Sequence, residues 1–164
     1  MDPNTGEILA DAVTPGFDPN QYTSYDSSVV RNTSISNLYE PGSTFKILLT
    51  AAALEEDVTY LGDRFYDPGY IMIGKERIRC WRYYNPHGSQ TLEEIVQNSC
   101  NPGFVTLMQR LEAKEEGLYY KYIRDFGFGQ KTGVDLPGEA AGIMVPEENL
   151  TPHTLGTDVY KRQV

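Results

Sequence analysis

Cysteine and basic residues are both scarce in this chain of 164 residues, and each scarcity excludes a class of protein. The two cysteines, Cys80 and Cys100, are too few for a disulfide scaffold, and their spacing does not match a zinc-binding pattern. Lys and Arg number 14 against 23 Asp and Glu, for a net charge of −9. We expect no basic cluster in so acidic a chain, and because phosphate binding needs one, we expect no nucleic-acid partner.

Long hydrophobic runs are missing as well. The longest nearly apolar stretch, Ile47–Leu54, is far shorter than the ~20 residues that span a bilayer. Met1 is followed directly by the turn sequence Asp-Pro-Asn-Thr-Gly, so no signal peptide is visible. The length suits one domain that buries roughly 70% of its unfolded surface. No pattern indicates a cofactor or a bound metal, and we expect neither.

Periodicity and capping signals predict elements along most of the chain. The segment 43–56 is apolar on nearly all faces, which predicts a central, buried helix. Thr91 and Glu94 form a capping-box pattern, and Asn101 followed by Pro102 is typical of an N-cap with proline at the first helical position. We further expect a strand at 7–13, a surface connection at 14–40, and short strands and turns at 60–88. The helix that follows the Thr91 capping box should reach about residue 97, the one that begins at Asn101 should reach about residue 113, and another should span about 117–126.

Ser43 and Lys46 stand three residues apart at the start of the apolar helix. Residues at this spacing share one helical face, so the hydroxyl and the amine can meet. The ordinary structural explanation is an N-cap serine and a lysine that reaches the surface. The apolar surroundings favour another: a lysine with few exits to water has a lowered pKa and can act as general base for a nucleophilic serine.

Ser99 and Asn101 form a second motif between two predicted helices. Its structural explanation is a helix-to-helix turn with Asn101 as the cap. Its functional explanation is a hydroxyl that relays a proton and a carboxamide that holds a substrate backbone. The two explanations are compatible, because a turn between helices is a rigid platform for such groups.

Together these motifs resemble the transpeptidase domain of class B penicillin-binding proteins. S-x-x-K followed by S-x-N is the signature of penicillin-binding proteins and serine β-lactamases. The segments DPNTGEILA, FDPN, YEPGSTFK, NSCNPGFV and FGFGQKTGVDLPGE extend the likeness, most of all to the division and sporulation types. The resemblance implies an α+β domain with a partial β-lactamase/D,D-peptidase-like transpeptidase fold, in which a helical subdomain packs on an incomplete antiparallel sheet.

The resemblance also implies a role for each motif residue. Ser43 would be the nucleophile that takes an acyl group from the D-Ala-D-Ala end of a peptidoglycan stem peptide, and its backbone N–H would form half of the oxyanion hole. Lys46 would be the base, Ser99 would pass the proton to the departing D-Ala, and Asn101 would orient the peptide. β-Lactams would acylate Ser43. The parent protein would be membrane-anchored, would act on the extracytoplasmic face and would work with cell-wall synthesis machinery.

The third family motif, K-[ST]-G, is expected to be missing. Lys131-Thr132-Gly133 matches its letters but lies among Gly and Pro residues, which is typical of a turn and not of a central strand. We therefore expect residues 1–155 to be a partial transpeptidase domain, inactive by itself and truncated at both ends. Residues 156–164 do not continue the family pattern, and we expect an artefactual or disordered tail.

Four further residues carry smaller expectations. A bond between Cys80 and Cys100 would tether the turn at Ser99 as a redox switch, and the alternative is two unpaired, half-buried thiols. His87 and Trp81 are expected to be loop and packing residues without visible partners.

A further departure concerns Asp11, which stands where the family has an apolar residue after its first strand. A charge there is tolerable only where the position faces water.

Two other functions share the same motifs. A β-lactam-sensing receptor would be acylated at Ser43 without turnover, and a non-catalytic cell-wall scaffold would keep the motifs unused.

Overall fold

A computed structural model describes residues 1–146 and 149, which form two compact units. The first unit joins Met1–Leu38 to Gln130–Gly142, and the second joins Tyr39–Gly129 to the chain from Ile143 onward. The expected tail at 156–164 lies outside the described residues, so its boundary stays a prediction. No helix in the described part of the chain is both long enough and apolar enough to cross a membrane.

The first unit contains short helical segments on an exposed connection. A 3-10 segment spans Pro19–Ser24, α1 spans Ser27–Val30 and α2 spans Thr33–Ser36. Each begins where the side chain of Asp18, Asp26 or Asn32 accepts a hydrogen bond from a backbone N–H, and none contains a buried residue. The surface connection expected at 14–40 is therefore confirmed, with three short helices in it.

The strand expected at 7–13 is wrong. Residues 7–13 form no strand, and all but the half-buried Val13 are exposed. An isolated strand leaves its backbone groups unpaired, and within the described residues no strand pairs with this segment. Asp11 is exposed, as its charge requires, and its carboxylate accepts hydrogen bonds from Asn32 Nδ2 at 2.7 Å and Ser34 Oγ at 2.9 Å.

The second unit is built around helices that pack on one another. After a 3-10 turn at Gly42–Phe45, α3 spans Lys46–Glu55, α4 Leu92–Gln97, α5 Asn101–Lys114 and α6 Leu118–Asp125. The core is formed by fully buried apolar side chains that include Leu49, Ala52, Phe104, Leu107, Leu111 and Ile123. The helix predicted at 43–56 is correct in place but wrong in two details: Ser43 lies in the 3-10 turn, and one face is open to solvent, with Ile47 69% exposed.

Four short strands complete the second unit as two antiparallel pairs. β1, Arg64–Asp67, pairs with β4, Gly88–Thr91, so that Phe65 lies opposite Gln90. β2, Tyr70–Ile73, pairs with β3, Glu76–Arg79, so that Ile71 lies opposite Ile78. Helix α5 packs against the first three strands. The α+β architecture and the strands expected at 60–88 are confirmed.

Helices α4 and α5 hold the turn between them tightly. Thr91 and Glu94 form the predicted capping box at the start of α4: Thr91 N donates to Glu94 Oε2 at 2.7 Å, and Glu94 N to Thr91 Oγ1 at 3.2 Å. Gly103 of α5 lies so close to α4 that an added Cβ would stand 2.7 Å from Ile95 Cγ2. The N-cap of α5 is Cys100 and not Asn101 as expected, so the Asn101 side chain is free for another role.

Candidate active site

Lys46 is the centre of the site, at the first position of α3 and only 3% exposed. Its ammonium donates to three acceptors: the Ser99 carbonyl oxygen at 2.9 Å, Ser99 Oγ at 3.0 Å and Asn101 Oδ1 at 2.6 Å. Nζ also lies 5.0 Å from the centre of the Phe104 ring. Three N–H donors thus meet three acceptors, which is how a buried ammonium is tolerated.

Burial nonetheless penalises the charged form of this lysine. It lowers the pKa of Lys46 from its ordinary 10.5 to about 8, against a smaller opposing effect of the nearby Cys100 and Cys80 thiols. With a pKa of about 8, about one lysine in ten is uncharged at pH 7. An uncharged amine keeps a lone pair that can accept a proton, so Lys46 has the protonation behaviour of a general base.

Ser99 lies in a strained part of the turn between α4 and α5. Its φ of +49° is in the left-handed region that side-chain-bearing residues seldom adopt. Hydrogen bonds on either side hold it there: Ser99 N donates to the Val96 carbonyl at 3.1 Å, and Cys100 N to the Ile95 carbonyl at 3.0 Å. The turn thereby aims both the hydroxyl and the carbonyl of Ser99 at Lys46.

Asn101 is fixed at both ends of its carboxamide. Its Oδ1 accepts from Lys46, while its Nδ2 donates to the Arg79 carbonyl of β3 at 2.9 Å. An ammonium can bond only the oxygen and a carbonyl only the nitrogen, so the two partners determine the orientation of the amide. Asn101 thus ties Lys46 to the second strand pair.

Ser43 lies apart from this hydrogen-bonded group. It is exposed, within the 3-10 turn that Gly42 opens with a φ of +55° and that the buried Phe45 anchors against Phe128. Among the described residues its hydroxyl has no hydrogen-bond partner, and Lys46 is not bonded to it. Ser43 and Lys46 are three residues apart along the chain, one in the 3-10 turn and the other at the start of α3. The structure therefore brings three of the four predicted residues together and leaves Ser43 beside them.

The Lys131-Thr132-Gly133 segment lies in a loop and not in a strand, which agrees with its Gly- and Pro-rich surroundings. Gly133 has a φ of +79°, and no strand includes the segment. The Glu139 carboxylate accepts from Thr132 N at 2.7 Å, Thr132 Oγ1 at 2.6 Å and Gly133 N at 3.2 Å. The hydrogen bonds from Thr132 lower the pKa of Glu139 below its usual value. The backbone N–H groups of the segment are therefore occupied by a carboxylate of its own loop.

Cys80 and Cys100 are free thiols, both buried, in a cluster that the sequence spacing did not reveal. One potential ligand atom from each of Asp67, Cys80, His87 and Cys100 lies within 4.8 Å of the others, so within the described residues this group could hold a metal ion. Burial raises the pKa of Cys80 to about 12, with a further contribution from Asp67, and burial also raises the pKa of Cys100. The thiols are half of a four-residue cluster beneath the Ser99 turn.

His87 and Trp81 have partners, contrary to expectation. His87 Nδ1 lies 2.8 Å from Asp67 Oδ2 and 3.3 Å from Cys80 Sγ. Trp81 Nε1 donates to the carbonyl of Asn98, the residue before Ser99, at 2.8 Å. The contacts with Asp67 and Asn98 do not follow from sequence spacing, because each joins the loop after β3 to a different element.

Known proteins resemble this chain over most of its length. A sequence model described as the penicillin binding protein transpeptidase domain matches residues 1–158. Stage V sporulation protein D of Bacillus subtilis is 51% identical over 166 residues, which cover 100% of this chain and 25% of that protein. Peptidoglycan D,D-transpeptidase MrdA of Acinetobacter baumannii is 32% identical over 157 residues, covering 87% of this chain and 23% of the relative.

Solved structures show the same relationship. The crystal structure of Pseudomonas aeruginosa PBP2 in complex with WCK 5153 superposes with a TM-score of 0.83 at 29% identity, covering 100% of this chain and 42% of that one. The chain spans about a quarter of the length of the curated relatives it matches. With a buried lysine joined to both residues of the S-x-N motif, and with a family match over nearly its whole length, the chain belongs to the penicillin-binding protein transpeptidase family.

Proposed function

We propose that this chain carries the acylating part of a serine D,D-transpeptidase that cross-links peptidoglycan stem peptides. The observation that supports this most is the environment of Lys46: a buried amine with a pKa of about 8, bonded to Ser99 and Asn101 and three residues from the exposed Ser43. Burial alone would only lower the pKa of a lysine. With Ser43 three residues away and Ser99 Oγ bonded to it, Lys46 has a hydroxyl proton to accept and a group to which it can pass that proton.

In the proposed reaction, Ser43 Oγ attacks the carbonyl carbon of the penultimate D-Ala. Uncharged Lys46 takes the hydroxyl proton as the oxygen–carbon bond forms, and the backbone N–H of Ser43 stabilises the developing oxyanion. The peptide C–N bond then breaks, and the departing D-Ala amine receives a proton through Ser99, whose Oγ is 3.0 Å from Lys46 Nζ. An acceptor amine reverses these steps, forms the new amide and releases Ser43.

The setting of this reaction is part of the proposal. The substrate is peptidoglycan ending in D-Ala-D-Ala, and β-lactams acylate Ser43 in its place. The parent protein is anchored in the membrane, faces the outside of the cell and works with the cell-wall synthesis machinery. Its role is division or sporulation.

Covalent labelling with a fluorescent penicillin tests the nucleophile. The domain extended by its natural downstream sequence should be labelled at one site, and Ser43→Ala should abolish the label. Ser89→Ala, at an exposed serine of β4, is the matched control and should be labelled like the parent. We expect weak labelling or none for the 164-residue chain alone, because on the proposed reading it lacks the strand that carries K-[ST]-G.

The same assay separates the competing functions. A sensing receptor would be labelled at Ser43 but would release no D-Ala from a D-Ala-D-Ala peptide with an acceptor amine present. A scaffold would not be labelled. Absence of label from a folded, extended domain would overturn the assignment of Ser43.

A further inference from the structure

The segment from Lys75 to Arg82 contradicts the expectation of no basic cluster. It contains four cations, Lys75, Arg77, Arg79 and Arg82, against one acid, Glu76, in a chain whose net charge is −9. Aromatic residues alternate with and follow the arginines. Arg79, Trp81, Arg82, Tyr83 and Tyr84 are together called the arginine–aromatic face below.

The guanidinium groups of this face contact aromatic rings. Arg79 lies 5.1 Å from the centre of the Tyr83 ring, and Arg82 lies 5.9 Å from that of Trp81. Tyr83 stacks on Tyr84 with ring centres 3.8 Å apart. Neither arginine forms an ion pair with a carboxylate of the described residues. Their forked N–H donors therefore remain available to an anionic ligand.

Trp81 is exposed and yet fixed. Its side chain is 64% exposed, while its indole N–H donates to the Asn98 carbonyl at 2.8 Å and its ring meets His87 edge-on, with centres 5.5 Å apart. A rigid aromatic surface loses little conformational entropy when a ligand stacks on it. Tyr84, 86% exposed, adds a second open ring.

The face is attached directly to the turn that carries Ser99. Asn98, which accepts from Trp81, immediately precedes Ser99, and the Arg79 carbonyl accepts from Asn101 Nδ2 at 2.9 Å. A ligand that reaches the S-x-N turn would therefore meet the arginine–aromatic face at the edge of the site. The basic charge is local, so it would select for an anionic ligand close to the turn and not for a polyanion along the whole acidic chain.

We propose that the arginine–aromatic face binds the glycopeptide part of the substrate: a sugar ring stacks on Trp81, and stem-peptide carboxylates pair with Arg79 and Arg82. This rests on the proposed function, which brings a carboxylate-bearing sugar–peptide to the same turn. Aromatic rings with fixed orientation suit the apolar face of a sugar, and guanidinium forks suit carboxylates. The face thus selects polymeric or disaccharide-linked stem peptides over a free D-Ala-D-Ala peptide.

Trp81 provides its own reporter, because it is the single tryptophan of the chain. Titrating the 164-residue chain with a soluble disaccharide–pentapeptide should give a saturable change in tryptophan fluorescence. Arg79→Gln and Arg82→Gln should each weaken binding about tenfold, the loss of one charged contact. Arg64→Gln is the matched control, since Arg64 is exposed and its carboxylate partner is Glu94 at 3.9 Å. Trp81→Phe is measured by calorimetry and should also weaken binding, with circular dichroism confirming that each variant is folded.

Several results would overturn the proposal. These are no saturable signal, equal affinity in Arg82→Gln and Arg64→Gln, or equal affinity for the pentapeptide without its disaccharide. Tighter binding of single-stranded oligothymidine or of anionic phospholipid vesicles would overturn it too. The test reads muropeptide binding and not acylation, so its failure is distinguishable from that of the penicillin assay. An extended parent domain that binds the muropeptide but is not labelled by penicillin would instead contradict the proposed function.

Discussion

Lys46 and Lys131 stand in two segments that match family lysine motifs, and the structure treats them in opposite ways. Lys46 is 3% exposed and donates to three acceptors on the Ser99 turn, whereas Lys131 is exposed in a loop. Burial lowers the pKa of the first to about 8. The letters of a motif therefore identify a base only together with the environment that removes its charge.

The two segments also differ in the partners to which their polar groups are hydrogen-bonded. The turn at Ser99 is held in a left-handed conformation with its hydroxyl aimed at Lys46, so its polar groups serve another element. The segment at 131–133 donates the N–H groups of Thr132 and Gly133 to Glu139, seven residues from Thr132, so these hydrogen bonds stay within one loop. The Ser99 turn is strained and bonds Lys46 of another helix, whereas the 131–133 segment bonds only a residue of its own loop. That difference is the one expected between a turn that serves a site and a segment that serves only its own loop.

The largest expected effect comes from replacing each of the two lysines in turn and measuring the rate of penicillin labelling. In the extended domain, Lys46→Met should slow penicillin labelling by about 10²- to 10⁴-fold, because it removes the proposed general base. Lys131→Met should label at the parental rate. Rates are followed by gel fluorescence over time. Equally slow labelling of Lys46→Met and Lys131→Met would contradict the difference between the two lysines.

The next effect concerns the support of the Ser99 turn. Gly103→Ala should lower the free energy of unfolding by about 1–3 kcal/mol, because its Cβ would stand 2.7 Å from Ile95 Cγ2 between two packed helices. Urea denaturation measures this. Ala113→Gly, at an exposed position near the end of the same helix, is a control for helix propensity and should cost no more than about 1 kcal/mol. Unchanged stability in Gly103→Ala would mean that α4 and α5 are not closely packed.

A smaller effect should reveal the strain at Ser99 itself. Ser99→Gly should be more stable than Ser99→Ala by about 1 kcal/mol, because glycine adopts a φ of +49° without the penalty of a Cβ. Both variants lack the hydroxyl, so both should acylate and deacylate slowly in the extended domain. Thermal unfolding compares their stabilities, and an alanine variant as stable as the glycine variant would contradict the strained turn.

The smallest effect is expected in the 131–133 segment. Glu139→Gln keeps the shape of the acceptor but removes its charge, and should lower the free energy of unfolding only slightly, because the hydrogen bonds of the carboxylate are exposed to solvent. The hydrogen bonds from Thr132 hold the pKa of Glu139 low, so the contribution of the carboxylate is present at neutral pH and lost as the pH falls through its folded pKa. Unfolding at pH 7 and at acidic pH measures both parts. Loss of penicillin labelling in Glu139→Gln would contradict a purely structural role for this segment.

Much of the second unit could be predicted from local sequence signals. The capping box at Thr91 and the short strands depend on neighbouring residues, and both are confirmed. The start of α5 was predicted one residue late, because Asn101 is a strong cap former whose side chain is instead bonded to Lys46 and to Arg79. A tertiary contact there overrides a local preference.

Other features needed the three-dimensional arrangement. Glu7–Val13 has the residues of a strand but no pairing partner among the described residues. The cluster of Asp67, His87 and the two cysteines joins strand, loop and helix, so no spacing in the sequence announces it. The open face of α3 was missed because apolar composition predicts burial on all sides, whereas Ile47 is exposed. Composition and spacing report local structure, and these three features depend on what lies across from each residue.

The lowered pKa of Lys46 also affects stability with a definite sign. Between pH 8 and 10.5 the unfolded chain holds a proton on this lysine that the folded chain has lost, so Lys46 makes the free energy of unfolding rise with pH over that range. The raised pKa of Cys80, about 12, acts in the opposite direction above the ordinary thiol value of 9.0. The effect of Lys46 is therefore obtained as the difference between the parent and Lys46→Met.

A titration of Lys46 by NMR tests the central claim most directly. The 164-residue chain is labelled at lysine Cε, and the Lys46 signal is assigned by its disappearance in Lys46→Arg. We predict a midpoint near pH 8 for Lys46, well below the ordinary lysine value of 10.5. A Lys46 signal with a midpoint near the ordinary 10.5 would contradict the account, because the lysine would then be almost fully charged at neutral pH and could not serve as the proposed base for Ser43.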